Sequence, residues 1–533
     1  MMSAQTDGLA QRVLQRFERA IGLTGLRHEI ITRSSGSVLI IYVANPQERH
    51  YEALASALRA EDAEASSLLA TLKKGREKAI LQSSEVRLLL RVLSESLTIT
   101  RHSFSDDFFS RYIKSVSGVE DQIVSAANHV VFGRRGSGKS SLLLWAMHGR
   151  KRDGSPFAWI DMQVYAQRSD RRVFLEVLLD IIDQTREAVA NRPLADSLAA
   201  RIQKLRDASK DPTEAGVRQL LPDIKRLFGS LATTSKDLVI FLDDFHVLAP
   251  TLQPHFLHLL YGFSRGTRVF LKLSAIESFT KLWDAASRTG LEVPHDVQLI
   301  ELDYNLTTAD KARAHIQSIL DAHAAYCGLP PIVSLCNQSD VIARLVWVSA
   351  GVPRDALNIF GQAITKAANM ANMRVTVTNV NAAASELVSD KLRFMELDSS
   401  GSFGAANQLL ERIREFCLRD QKQNAFLVEE RPGDADYRLI RQLVDLRLLH
   451  VIHEGIVKRE AQRKHVALIL DYGFYVGQRK ARGIDLFNPK TAVPRYEELR
   501  SLPVFGIRAA TEGAQQGVAA DAVSGAARSK RRS

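Results

Sequence analysis

A chain of 533 residues, 45% apolar and 25% charged, exceeds what one small core can organise and has an ordinary globular composition, consistent with three or four domains. Its three cysteines, Cys327, Cys336 and Cys417, are too widely spaced for a metal cluster or a disulfide framework, which fits a reducing cytoplasm. A formal charge of +11 permits binding to nucleic acid or an anionic surface without choosing between them; the start MMSAQTDGLAQRVLQRFERA is too polar for a signal peptide, and no apolar run reaches the roughly 20 residues that span a bilayer.

Residues 1–103 are expected to form a small α+β module: a helix-like start, then EIITRSSGSVLIIYV as two β-rich runs around Ser34, Ser35 and Gly36. Residues 50–98 show mostly helical spacing of Leu and Ala. From 104 to 304 the pattern changes to strands alternating with helices. HVVF (129–132), FAWIDMQ (157–163), LVIFLDD, RVFLKLSA and VQLIELD (297–303) read as strands of a parallel, doubly wound sheet. Residues 305–400 read as helices. Residues 401–482 read as two helices followed by a strand, a charged turn and a returning strand, the pattern of a winged helix. A C-terminal extension, 483–508, precedes a small, polar, basic-ended tail at 509–533 that is expected to be disordered.

The segment Gly133-Arg134-Arg135-Gly136-Ser137-Gly138-Lys139-Ser140, with Ser141 next, matches GxxxxGK[ST] between an apolar strand and a helix. Glycines let successive N–H groups face phosphate oxygens, and the helix adds its positive end. Lys139 is expected to reach the β- and γ-phosphates and Ser140 to ligate Mg²⁺. Asp243 ends a strongly apolar strand, where a carboxylate faces the ligand crevice and can hold the same cation. Asp244 stands where many ATP hydrolases have Glu. It is one methylene shorter, so slow turnover is expected if it polarises water. Ser274, at the end of the next strand, either touches the γ-phosphate or lytic water or caps a helix. Lys272 is a costly charge inside an apolar run and has no assigned role; His246 reads as structural.

The P-loop, the Asp243-Asp244 pair, Ser274 and GVPRDAL at 351–357 together resemble an AAA+ ATPase of the origin-recognition and initiator clade and its bacterial relatives. The resemblance covers about 104–476. It implies a P-loop NTPase core with a helical lid, a C-terminal winged helix, and ATP with Mg²⁺ as cofactors. GVPRDAL looks like the sensor-two motif, which makes Arg354 the lid arginine that reaches the γ-phosphate, the alternative being a solvated side chain. Arg288 has the placement of an arginine supplied to a neighbouring subunit, the alternative being a residue capping a helix C-terminus beside Gly290. Two departures are the Asp at 244 and a helical insertion around 185–232. The family setting implies a homo-oligomer, and in bacteria often a mobile-element or phage-defence role.

Basic residues in the C-terminal region supply a candidate duplex-DNA surface. Arg438 and Arg441 lie on its second helix, and Lys458, Arg459, Arg463 and Lys464 at the hairpin. Phosphate contacts would give salt-dependent affinity with little base specificity, while the same pattern also describes a solvated charged face. Three functions compete: a DNA-associated ATPase that assembles on ATP, a defence switch that uses residues 1–103 to meet an effector protein, and a non-enzymatic assembly protein that retains ATP.

Overall fold

The computed structural model describes residues 2–507, apart from 34–35, 44, 62–67, 75–79, 102–105, 116, 190, 233–235, 303–305, 398–401, 459–462 and 476–495. Arg459, the tail at 509–533, most of the 483–508 extension and Ser34-Ser35 of the first expected turn therefore lie outside the described residues. The chain divides into two compact units, residues 1–304 with 309–387, and residues 305–308 with 388–533. The segments expected as N-terminal module, core and most of the lid thus fall in one unit. Among the described residues, no helix is long and apolar enough to cross a membrane.

The first unit opens with α1 (Met2–Ile21), β1 (His28–Arg33), β2 (Gly36–Val43), α2 (Glu48–Arg59), β3 (Leu68–Lys74) and α3 (Ser84–Glu95). β1 pairs antiparallel with β2, and β3 adds to β2 in parallel. β3 falls in the stretch read as helical. Its buried residues Leu68 and Leu72 are four apart, a spacing that suits either element, and a short run cannot separate them by period. The sheet partner, β2, decides.

Two short helices, α4 (Asp106–Arg111) and α5 (Val119–Ile123), lead into β4 (His129–Phe132) and α6 (Lys139–Arg152). The order continues with β5 (Phe157–Asp161), α7 (Arg172–Thr185), α8 (Arg192–Arg206), α9 (Glu214–Arg218), α10 (Leu221–Leu231), β6 (Leu238–Asp243), α11 (Gln253–Ser264) and β7 (Val269–Ala275). After a hairpin of two short strands, β8 (Trp283–Asp284) with β9 (Thr289–Gly290), comes β10 (Gln298–Glu301). The five long strands form one parallel sheet in the order β10-β4-β7-β6-β5. The near-continuous buried runs of β4, β6 and β7 suit a sheet covered on both faces, while β10 at the edge is largely exposed. The insertion around 185–232 is folded into this core rather than hung from it: Leu198, Ile202, Val217, Ile224 and Phe228 are buried with the sheet residues.

Register places the chemistry. Leu242 pairs with Leu273, so Asp243 stands beside Ser274; Phe132 pairs with Ala275, so the loop at Gly133 leaves from the same edge. This is the carboxyl edge of the sheet, where ligands of open α/β folds bind. Lys272, without a role in the sequence, also finds one here. It is 1% exposed, and its ammonium donates to the carbonyls of Ser125 and Ala127, both at 2.7 Å, and meets His129 Nδ1 at 2.8 Å. Three acceptors match its three donors. Burial first, then neighbouring positive charge, draws its pKa down to about 7.

The unit closes with α12 (Ala309–Tyr326), α13 (Asp340–Val348) and α14 (Pro353–Asn369), followed by the start of α15 (Val377–Leu397), within which the division between units falls.

In the second unit α15 is followed by α16 (Ser402–Glu415), a π-helical turn at Phe416–Asp420, β11 (Ala425–Glu429), α17 (Ala435–Asp445), β12 (Leu449–Val457) and β13 (Lys464–Leu470). The three strands form an antiparallel sheet in the order β11-β13-β12. β11 is a strand that the sequence reading did not separate from the helices. A buried ionic group ties this unit together: Asp471, 1% exposed, accepts from Lys391 at 3.1 Å, from His450 Nε2 at 3.0 Å and from the Gly473 amide at 2.8 Å.

Burial alone would raise the Asp471 pKa, but the Lys391 charge and these hydrogen bonds outweigh it and hold the carboxyl at about 2, below its ordinary 3.8. A depressed carboxylate pKa contributes stability above the unfolded value and loses it as pH falls through the folded one. Protection of the β12 and β13 amides in hydrogen exchange is therefore expected to fall between about pH 4 and pH 2. Asp471→Asn is expected to lower that protection at neutral pH and flatten its acid dependence; an unchanged acid profile would contradict this account.

Candidate functional site

The loop between β4 and α6 can begin only with glycine: a Cβ on Gly133 would lie 2.3 Å from the Leu302 carbonyl oxygen. Gly138 enters α6 at φ 101°, a left-handed conformation that side chains disfavour. Lys139 arches back over the loop, its Nζ donating to the carbonyls of Gly133 at 2.9 Å and Arg134 at 3.1 Å. Beside it, Ser140 Oγ donates to Asp243 Oδ1 at 3.0 Å.

Ser274 joins the two aspartates. Its hydroxyl accepts from the Asp244 amide at 2.8 Å and donates to Asp243 Oδ1. Of its two expected roles, helix capping is not the one the geometry shows; the hydroxyl is a strut between the carboxylates' backbone and side chain. Burial first, then the Asp244 charge, pushes the Asp243 pKa up to about 6, against the Ser274 and Ser140 hydrogen bonds and the Lys139 charge. An aspartate so disposed gains from a cation beside it.

Asp244 is the residue at which the strand turns away. Its φ of 56° and ψ of 42° are left-handed, a conformation that Asp and Asn tolerate better than most residues. Its Oδ2 accepts from Gln163 Nε2 at 3.0 Å. Burial draws the nearby His246 pKa down to about 4 and keeps the ring neutral near pH 7.

Lys139, Ser140, Gln163, Asp244 and His246 open on a cavity of about 360 Å³, whereas Asp243 and the buried Ser274 are not part of its wall. Its wall includes Arg135 to Ser141, Gln163, Asp244 and His246, and, from the lid, Pro353, Arg354 and Leu357. Arg354 is exposed in the first turn of α14, and its amide donates to the Gly136 carbonyl at 3.3 Å. Arg134, a P-loop residue expected at the nucleotide, is buried instead and donates to the Ala350 carbonyl at 3.3 Å. Loop and lid are thus linked by both bonds.

Arg288 is not at a helix end. It is exposed at φ 51° in the turn of the β8–β9 hairpin and is not part of the cavity wall, which corrects the capping alternative. Gly290 closes that hairpin because a Cβ there would lie 2.1 Å from the Leu282 carbonyl oxygen.

In the second unit, Arg438 is exposed on α17 and Lys464 at the start of β13. Arg441 pairs with Glu454 at 3.4 Å, Arg463 Nη1 lies 3.1 Å from both carboxylate oxygens of Glu429, and Lys458 approaches the Leu502 carbonyl at 3.5 Å. Acidic residues therefore stand among the basic ones, and the surface is a mixed one.

Sequence reasoning missed Gln163, Arg111 and Glu120. Gln163 had a usable signal, since it follows a strand end that pairs with Asp243. Arg111 and Glu120 lie in no motif; only folding brings α4 and α5 to the cavity. Arg111 is 9% exposed and sits over the Tyr326 ring at 4.4 Å, with Arg49 over the same ring at 3.9 Å.

Residues 121–272 match the family model described as AAA ATPase domain. No curated protein matches the chain. Among solved structures, the Aeropyrum pernix ORC1 protein in complex with DNA is similar at 14% identity and a TM-score of 0.37, over 67% of this chain and 90% of that one. Cdc6p from Pyrobaculum aerophilum is similar at 13% identity and a TM-score of 0.33, over 69% and 94%. The Thermotoga maritima RuvB Holliday junction branch migration motor is similar at 15% identity and a TM-score of 0.29, over 58% and 80%. The loop, the paired aspartates and the family match agree on one conclusion: the central segment of this chain, residues 121–272, is an AAA ATPase domain.

Proposed function

We propose that the protein is an ATP-dependent switch that hydrolyses slowly, assembles with copies of itself when loaded, and engages duplex DNA through its second unit. The observation that carries this reading is the direct link between P-loop and lid, the Arg354 amide on the Gly136 carbonyl, on the wall of one shared cavity. Any group held by the loop is then felt by the lid. The residues fit Mg²⁺ and ATP: Lys139 and the loop amides would hold phosphate oxygens, and Ser140 with Asp243 would hold the cation. When bound, MgATP supplies a phosphoanhydride open to attack by water. Asp244 would orient that water, itself held by Gln163 and by the strut through Ser274. Its left-handed backbone and short side chain favour slow turnover over a motor's pace.

Exposed Arg288 suits a contact made to a neighbouring copy, which would make hydrolysis depend on assembly. The second unit has the helix–strand–helix–hairpin order of a winged helix, and exposed Arg438 and Lys464 suit phosphate contacts. A specific observation also favours an effector reading: Arg49 of α2 stacks on Tyr326 of α12, so the N-terminal segment touches the lid and could report its state to a partner protein.

Light-scattering mass with and without MgATP, for wild type and Arg354→Ala, tests the switch. Assembly is expected only for loaded wild type, and salt-dependent duplex binding is expected to be strongest in that sample. Identical masses in all four samples would overturn it.

A further inference from the structure

Glu120 is 2% exposed and lines the same cavity as the P-loop. Its Oε1 is fully engaged, accepting from Tyr112 Oη at 2.9 Å and from the Ser115 amide at 2.7 Å. Its Oε2 is buried and has no hydrogen-bond partner among the described residues. Such an atom costs on the order of 1–3 kcal/mol or more, and its persistence on a cavity wall points to a donor arriving from the ligand. The wall also carries the apolar Ile99, Phe108, Ile113, Ile319 and Leu357 beside the polar Arg111, His315 and His323, a mixed lining that can take a flat ring with polar edges.

We propose that Glu120 is the base-selecting residue of this site, its Oε2 accepting a hydrogen bond from the exocyclic amine of adenine. The inference rests on the nucleotide reading above and adds to it the basis of base choice. One oxygen is free for the ligand and one is not. A carboxylate that reads guanine uses both oxygens, for the paired N–H donors of that base. Glu120 has already committed one of them to Tyr112 and Ser115, so it suits a single amine. A base with an oxo group at the same position would set acceptor against acceptor.

The test is a binding titration of the full chain with ATP, GTP, inosine triphosphate and purine riboside triphosphate, which lacks only the amine, for wild type and Glu120→Gln. Wild type is expected to prefer ATP over purine riboside triphosphate by about 10-fold or more, the worth of one hydrogen bond to a charged group. In Glu120→Gln the amide oxygen can keep Tyr112 and Ser115 while its N–H₂ faces the base. ATP is then expected to lose about 10-fold, purine riboside triphosphate to stay unchanged, and the inosine nucleotide to gain. Equal wild-type affinity for ATP and purine riboside triphosphate would overturn the proposal. Equal loss for all four in the variant would also overturn it, because that is the mark of a purely structural glutamate, as would selective loss on removing a ribose hydroxyl in 2′-deoxy ATP with no dependence on the amine. Binding of none of these nucleotides by wild type would instead overturn the nucleotide reading itself.

Discussion

Lys139→Ala is expected to weaken ATP binding by about 100-fold or more, because it removes two charge-assisted hydrogen bonds worth on the order of 1.5–3 kcal/mol each. In the protein alone the ammonium already has acceptors, the Gly133 and Arg134 carbonyls. Phosphate oxygens would join these acceptors around the ammonium, and the expected loss counts the bonds made to phosphate. The Leu302 carbonyl packed against Gly133 holds the start of the loop independently of the lysine, so the variant keeps its fold. Calorimetric titration, with thermal melting as the control, decides the matter. Wild-type affinity in a folded variant would mean that phosphates do not sit on this loop.

Asp244→Asn is expected to leave the ATP dissociation constant within about 3-fold and to lower turnover by about 100-fold, the usual worth of a positioned acid–base group. Asn is the substitution of choice because it also accepts the left-handed backbone at this position, whereas Ala would test strain and chemistry together. Single-turnover hydrolysis at saturating ATP is the direct measurement. Unchanged turnover would assign Asp244 to holding Gln163 and nothing more. Asp243→Ala should behave differently, losing Mg²⁺-dependent binding, since its carboxylate and the Ser140 hydroxyl form one pair.

Much of this site was legible before folding, for a physical reason. A phosphate cradle is local: eight consecutive residues after a strand provide the loop, the lysine and the hydroxyl. Strand ends are nearly as local, so Asp243 and Ser274 could be placed from apolar runs alone. What escaped was decided across the chain. β3 is a strand because β2 offers an edge, since the spacing of its buried leucines suits a helix as well as a strand. The residues around Arg288 hairpin where a helix end was one expectation, and nothing in AASRTGLEVP distinguishes the two. Arg134 sits inside the motif, yet its side chain leaves for Ala350, some two hundred residues away in sequence. Glu120 belongs to no motif; its meaning lies in one oxygen that is used and one that is not.

The two links between loop and lid, Arg134 to Ala350 and Gly136 to Arg354, bear on timing. Both are bonds of the protein to itself. If departure of a bound nucleotide requires the lid to lift, its residence time includes the breaking of these two bonds as well as its own contacts. Replacing the Arg134 side chain, the one side-chain group in these two links, would then shorten dwell time with little change in how the phosphates are held. In that sense the interval of the switch is written partly in hydrogen bonds that the protein makes to itself.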